Sequence, residues 1–363
     1  MNKNHKLILD ILNAGLNNQK LDLSNEHDNK ELITIMREQT FLPYLYYVSK
    51  DTFYNAYYIS SYLIHEQFIR LKRFIKMIFD KNQIDHIFLK GSSLQDLYPD
   101  RNLRLLGDID VLVREKDINK AIKVFKENGF IFDERADHHI SFKYKNLEIE
   151  LHHRIVEYNH PLYHFFKEPF ANASVEDNHT YALDNDYNLV FIISHYLKHL
   201  RNGSGLRSLC DIYLMMLKKE INIDKVYQIF IDNGYEKFFI CVLSAIDIIF
   251  AYRPFEFENS PYAEELISYS LNSGIHGFGA NNDYIKNRQV SVTKNRFVYL
   301  LKTWFVPIKV LFSYYPWTKS IILIPFGYIA RLFHLLIHRR KKLKHIMTHK
   351  NSDDLFFKHI GIK

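Results

Sequence analysis

Cysteine is scarce in this 363-residue sequence, which contains only Cys210 and Cys241. Two cysteines in so long a chain exclude a disulfide framework and a site built from clustered thiolates, so we expect a reducing compartment. Glycine and proline are also few, at 12 and 9 residues, whereas Phe and Tyr number 28 and 25. This balance argues against a turn-rich all-β fold and favours helices packed through aromatic side chains.

Long hydrophobic runs are missing as well. The amino terminus has a short apolar stretch interrupted by Asp10 and Asn13, which is unlike a secretory signal. The longest apolar span, residues 321–337, contains Pro325 and Arg331 and is too short for a clean bilayer crossing. We therefore expect a cytoplasmic protein without a membrane-spanning helix.

The periodicity of apolar residues divides the chain into four regions. The divisions are a helical lead-in over residues 1–80, a mixed sheet with helices over residues 81–175, a helical second domain over residues 185–271, and an aromatic and basic region over residues 294–363. Within the sheet region, Asp117 is placed to cap a helix that Gly129 ends. The predicted fold class is α+β, with a small mixed β-sheet core, a helical second domain and an amphipathic, basic C-terminal tail.

The C-terminal tail combines aromatic residues with a basic run, HRRKKLKH, at residues 338–345. Such charge suits nucleic-acid backbones as well as lipid headgroups. The aromatic and aliphatic residues before it favour an anionic membrane surface, bound through residues 317–350. Nucleic-acid binding and a solvated tail are the alternatives. If the tail binds the membrane, the protein would lie peripherally on its inner face.

Two aspartates, Asp108 and Asp110, share one face of the predicted strand DIDVLV. Carboxylates held this close favour a hard divalent cation, and Mg²⁺ commonly combines one or two carboxylates with substrate phosphates. An edge strand with its polar side in water is the alternative. A second strand, LEIELHHRI, places Glu148 and Glu150 on one face, and either could join the pair if the strands are neighbours.

A turn that suits phosphates precedes the aspartates. The segment HIFLKGSS predicts a strand that runs into Gly91 and Ser92 and then a helix, which would present backbone amides to a triphosphate. Lys90 and Arg104 could add charge-assisted contacts to the same phosphates, or could be solvated flanking residues.

Several histidines accompany these motifs. His195 and His199 have the i, i+4 spacing that zinc sites use, but no glutamate lies between them and no third ligand is evident, so packing against the cleft is the better interpretation. Arg207 and Asp211 on the next helix could also line the cleft. His152, beside Glu150, could orient a ligand or serve as a hydrogen-bonded structural histidine.

Together these motifs resemble the DNA polymerase β-like nucleotidyltransferase superfamily, whose minimal pattern is a Gly-Ser turn, an Asp-x-Asp strand and a later acidic strand. More closely, the chain resembles a bacterial family of uncharacterised nucleotidyltransferases over about residues 86–155. The matching motifs are Lys90-Gly91, Tyr98-Pro99, Arg104, Gly107-Asp108-Ile109-Asp110 and Glu150-Leu151-His152. The spacing of 15 residues between Ser92 and Asp108 is longer than in the wider superfamily but ordinary in this family.

The resemblance implies a nucleotidyltransferase that moves NMP from an NTP, ATP being one candidate, to an acceptor hydroxyl with release of pyrophosphate. The residues it implies are Asp108, Asp110 and Glu150 as catalytic ligands of two Mg²⁺ ions, and Lys90, Gly91, Ser92 and Arg104 as nucleotide-binding residues. On this match Glu150 is preferred to Glu148.

The acceptor is unknown. Members of the family often lie among genes for surface polysaccharides, which suggests a sugar or lipid-linked acceptor. The alternatives are toxin-like nucleotidylation of a protein or tRNA, and a non-catalytic scaffold at the membrane that keeps a degenerate form of the fold.

Overall fold

The computed structural model describes residues 1–201, 203–274, 304–338 and 355–362. Four helices precede the first strand, and the first two begin at asparagine caps. The Asn2 side chain accepts a hydrogen bond from the backbone N–H of His5, and Asn29 accepts one from Leu32. The four helices are α1 (Lys3–Leu16), α2 (Lys30–Glu38), α3 (Leu42–Ser49) and α4 (Asn55–Lys81).

A mixed sheet of seven described strands follows, with two helices inserted in it. Its strands are β1 (His86–Phe88), β2 (Asp108–Val113), β3 (Ile131–Arg135), β4 (His139–Tyr144), β5 (Leu147–His152), β6 (Ala173–Asp177) and β7 (Thr180–Leu183). The inserted helices are α5 (Gly91–Leu94) and α6 (Ile118–Glu127). The spatial order is β3-β4-β5-β2-β1-β7-β6, so β2 and β5 are neighbours although α6, β3 and β4 separate them in sequence.

The sheet has a hydrophobic core on each face, and strand alternation decides which side chains enter which core. Ile109, Val111 and Val113 of β2 pack with α4 and α6 on one face. Leu112 belongs to the other core, together with Ile87 of β1. Asp108 and Asp110 therefore point to the second face, where the helical region lies, as the predicted alternation requires.

The prediction of the α+β class and of a small mixed sheet is confirmed. Helix α6 also ends as predicted, with Gly129 at φ +83° after its last turn. One local detail was wrong, because Asp117 stands at the N-cap position but its side chain makes no capping hydrogen bond.

The sequence pattern missed strands β3, β6 and β7. These strands lie toward the edges of the sheet, and most of their side chains are exposed or only partly buried. Strand β3 even exposes Ile131 and Phe132. A strand without a buried face has no period-two hydrophobic pattern to detect.

The helical region after the sheet shares one core with the amino-terminal helices α1–α3. Its helices are α7 (Asn185–Leu200), α8 (Arg207–Lys218), α9 (Ile223–Asp232), α10 (Glu236–Phe250) and α11 (Ala263–Ser273). Gln39, at the end of α2, is fully buried between these groups of helices. Its side-chain amide donates to the carbonyls of Ser270 and Leu271, and its oxygen accepts from the N–H of Leu206.

The described part of the C-terminal region contains α12 (Ile308–Tyr314) and α13 (Ile324–His338), and a last helix, α14 (Leu355–His359), follows. Phe356 and Phe357 of α14 are buried in the shared helical core. None of the described helices has the length and apolar character that a membrane crossing needs. The basic residues from 339 to 350, which belong to the predicted membrane-binding segment, lie outside the described residues.

Candidate active site

The carboxylates come together because β2 and β5 pair in parallel. Their register places Asp108 opposite Glu148 and Asp110 opposite Glu150. Burial distinguishes the two glutamates, because Glu150 is half-buried whereas Glu148 is exposed. The structure thus brings Glu150 to the buried side chain of Asp110 and leaves Glu148 at the surface.

Lys90 lies directly against this pair. Its ammonium donates to Oδ1 of Asp110 at 3.0 Å, and its backbone has φ +42° and ψ −118°, an unusual conformation for a residue with a side chain. The Leu89 N–H donates to the Asp110 carbonyl at 3.0 Å, which fixes the end of β1 against β2. A strained backbone at this point, held by two strands, is typical of a functional site.

The turn at Gly91 approaches its neighbours too closely for a side chain. A Cβ at this position would lie 2.8 Å from Nη1 of Arg104 and 2.8 Å from Cδ2 of Leu106. Ser92 is turned elsewhere: its hydroxyl is 3.4 Å from the Leu89 carbonyl, and the residue lines a separate cavity. Gly91, but not Ser92, is therefore brought to the cavity that contains the carboxylates.

Arg104 lines the same cavity but is held by a buried ion pair. Its Nε and Nη2 donate to the two oxygens of Asp211 on α8, both at 2.7 Å, and the hydroxyl of Tyr98 donates to Asp211 at 2.7 Å. Arg104 and Asp211 are 5% exposed each, which makes the pair an almost completely buried link between the sheet and the helical region. Sequence reasoning placed both residues near the cleft and missed their contact.

The charges of this group shift one another's protonation. The neighbouring charge of Asp110, together with burial, raises the pKa of Asp108 to about 6. Burial acts to raise the pKa of Asp110 too, but the positive charges of Lys90 and His152 and their hydrogen bonds hold it well below its usual range. Two carboxylates that cannot both ionise without cost are the electrostatic setting in which a divalent cation is most favourable.

Histidines surround the carboxylates, and sequence reasoning missed two of them. Nε2 of His152 lies 2.9 Å from Asp110 and 3.2 Å from Glu150. His139 is directly opposite His152 in the β4–β5 ladder, with Nε2 3.4 Å from Glu150, and His138 precedes it. The available signal was the two adjacent histidines at the start of the segment HHISF. Period-two alternation alone could not show that this strand lies beside the strand of His152.

Residues of helices α7 and α8 line the other side of a cavity of about 550 Å³. Their contribution includes His195, His199 and Arg207, so the predicted packing of this region against the cleft is observed. The rings of His195 and His199 lie 4.3 Å apart, and burial lowers the pKa of both. Arg207 donates to the Leu105 carbonyl at 3.0 Å, and burial lowers its pKa to about 10. The cavity volume falls within the usual range of small-molecule sites, about 300–1,000 Å³.

A family model described as uncharacterised nucleotidyltransferase matches residues 64–251. The match covers just over half of the chain and includes all seven described strands and the helices α7 and α8 that line the cavity. No curated protein matches the chain. The placement in the wider DNA polymerase β-like superfamily stays a prediction.

Proposed function

The chain belongs to the family of uncharacterised nucleotidyltransferases, and from this premise we propose that it transfers NMP from an NTP to an acceptor hydroxyl in an Mg²⁺-dependent reaction. The observation that carries the proposal is the parallel β2–β5 register, which sets Glu150 beside Asp110 and its neighbour Asp108 at the wall of one cavity.

The donor set fits Mg²⁺. Asp108, Asp110 and Glu150 offer carboxylate oxygens, the ligands that this ion prefers, and three carboxylates are enough to hold two ions together with substrate phosphates. Bound there, Mg²⁺ would supply charge stabilisation and activation of the acceptor oxygen at the α-phosphate.

The remaining residues support binding and orientation of the nucleotide. Lys90 brings a partly buried positive charge within 3.0 Å of Asp110, close to where phosphates would lie. Gly91 allows backbone and phosphate to approach without a side chain between them. Arg104 uses Nε and Nη2 on Asp211, while Nη1 lies toward the Gly91 turn. Ser92 remains a proposed phosphate residue through its backbone alone, since its side chain faces away from the cavity.

Calorimetric titration with each of the four NTPs, with and without Mg²⁺, tests the proposal. Metal-dependent binding should disappear in the Asp108→Ala, Asp110→Ala double variant. Glu150→Gln should weaken binding at least tenfold, whereas Glu148→Gln, a matched change two residues away on the same strand face, should leave it unchanged. Equal effects of the two glutamine variants, or unchanged binding in the double variant, would overturn the assigned site.

A second observation supports attachment to an anionic membrane, which would place the enzyme near a lipid-linked acceptor. The described part of the C-terminal region exposes large apolar side chains, and Lys309 and Lys319 of the same segment are exposed as well. These side chains are Phe305, Ile308, Trp317, Ile322, Leu323, Phe326, Ile329 and Phe333. An apolar surface of this kind beside cations suits the interface of anionic lipid.

Vesicle sedimentation distinguishes this surface from exposed apolar residues in general. Phe326 and Phe333 are 57% and 59% exposed, so changing both to Asp should lower the partition coefficient by at least tenfold on vesicles that contain phosphatidylserine. Phe132→Asp, on the edge strand β3, is the control and should have no effect. Unchanged partition of the double variant would refute the lipid role, and the NTP titration is expected to be the same for all three proteins.

A further inference from the structure

The histidines beside the carboxylates form a group with its own geometry. Antiparallel pairing of β4 and β5 sets His139 directly opposite His152, and Ser141 opposite Glu150. His138 is the residue before β4, and its carbonyl accepts from the N–H of His153 at 3.1 Å. Two strand ends therefore hold three imidazoles at one point, immediately next to Glu150.

Their donor atoms are close enough to share one ion. His138, His139 and His152 each offer a ring nitrogen, and these atoms all lie within 4.8 Å of one another. Nε2 of His138 is 3.3 Å from Nδ1 of His139. In a tetrahedral site with Zn–N bonds of 2.0–2.1 Å, neighbouring ligand atoms lie about 3.4 Å apart, so this spacing fits coordination.

The contacts of His152 and Glu150 point to a missing partner. His138 is 7% exposed, and it is Nε2 of this ring that faces His139, while Nδ1 points away and has no hydrogen-bonding partner among the described residues. Nε2 of His152 faces oxygens of both Asp110 and Glu150, so it must carry either a proton or a metal ion. Glu150 turns one oxygen to His152 and the other toward Nε2 of His139.

The chemistry of this donor set differs from that of the carboxylate site. Imidazole nitrogen suits zinc and similar transition ions, whereas Mg²⁺ prefers oxygen. Three histidines with a fourth position open to water are a known composition for a zinc site, and here two of the three are buried and one is partly buried.

We propose that His138, His139 and His152 bind one zinc-class transition-metal ion beside Glu150 and the Mg²⁺ site. The significance of the ion rests on the proposed function, since it would fix Glu150 and His152 beside the nucleotide, but its binding does not depend on nucleotide.

Direct metal titration of the full chain tests this. The chelator-treated protein is titrated with Zn²⁺ against a chromophoric chelator, and separately with Co²⁺, whose visible absorption reports a four-coordinate nitrogen-rich site. The wild-type chain should bind one Zn²⁺ per chain, and a tenfold excess of Mg²⁺ should not displace it. His138→Asn together with His139→Asn should weaken Zn²⁺ binding at least a hundredfold and abolish the Co²⁺ absorption.

His153→Asn is the matched control, because His153 directly follows His152 in sequence, is partly buried and lies outside the three-imidazole group. Zn²⁺ binding that is unchanged in the His138 and His139 variant, or lost equally in the His153 variant, would overturn the proposal. Thermal melting of each variant checks that the fold is kept.

The same proteins separate this inference from the proposed function. Absence of Zn²⁺ binding with intact Mg²⁺-dependent NTP binding would refute the histidine site alone. Zn²⁺ binding without any NTP binding would refute the nucleotidyltransferase proposal and leave the histidine site standing. Asp108→Asn should lose NTP binding and keep Zn²⁺, and loss of both would show that there is only one metal site.

Discussion

Asp211→Leu tests whether the buried ion pair holds the helical region against the sheet. The substitution leaves the Arg104 guanidinium in a dry environment without its carboxylate, and it also removes the acceptor of the Tyr98 hydroxyl. Breaking one side of a buried pair costs about 3–5 kcal/mol, because the remaining charge is uncompensated. We therefore expect the free energy of unfolding to fall by that amount.

Differential scanning calorimetry measures the effect. An unfolding entropy of about 2.1 cal/mol/K per residue gives about 0.76 kcal/mol/K for 363 residues, so the melting temperature should fall by about 4–7 °C. The control is Asp96→Asn, which breaks an exposed pair with Arg101, where the side chains are 61% and 54% exposed. That change should cost at most about 1 kcal/mol.

A double variant identifies the cause of the cost. If the uncompensated charge is responsible, Arg104→Met combined with Asp211→Leu should be more stable than Asp211→Leu alone by about 2 kcal/mol or more, since replacing both partners by apolar groups is often nearly neutral. A loss below about 1 kcal/mol in Asp211→Leu, or a double variant no more stable than the single one, would refute the reasoning.

Three other changes have defined outcomes. Gly91→Ala places a methyl group 2.8 Å from Nη1 of Arg104, so it should lower the free energy of unfolding by about 1–3 kcal/mol and weaken NTP binding in calorimetric titration. Wild-type values for both quantities would contradict the close approach of Arg104 to residue 91. Gln39→Ala removes the side-chain partners of the Leu206 N–H and the Leu271 carbonyl and one of two donors to the Ser270 carbonyl. It should therefore cost roughly 2–3 kcal/mol in urea denaturation, and a loss under about 1 kcal/mol would contradict this. Lys90→Met removes the neutralising charge at Asp110, so the melting temperature without Mg²⁺ should fall. Mg²⁺ should then raise the melting temperature more than it does in the wild type. An equal Mg²⁺ effect in both proteins would argue against a metal at Asp110.

Much of the candidate site was predictable because it depends on local periodicity. The two-residue repeat of a strand is enough to place Asp108 and Asp110 on one face and Ile109 on the other. The same repeat predicted a shared face for Glu148 and Glu150 but could not choose between them. That choice depends on how deep each residue lies along the paired strands, which the register and the covering helices decide.

Contacts between distant segments were beyond local reasoning. Arg104 and Asp211 are 107 residues apart in sequence, and each alone reads as a charged residue near a cleft. His138 and His139 gave no signal that they would meet His152, because the pairing of β4 with β5 is set by the hairpin between them and by the buried residues of both strands.

By itself, the sequence determined the α+β class, the acidic strand face, the glycine turn before it and the family, because short-range periodicity and motif spacing are enough for these features. Glu150 was preferred on the family resemblance, and the β2–β5 register places it opposite Asp110. Only the tertiary structure decided that Arg104 is held by Asp211, that Ser92 turns away from the cavity and that three histidines converge beside the carboxylates. The physical reason is that burial and ion pairing arise only when packing brings distant segments together. The free energy of that packing depends on the whole core and not on any single segment.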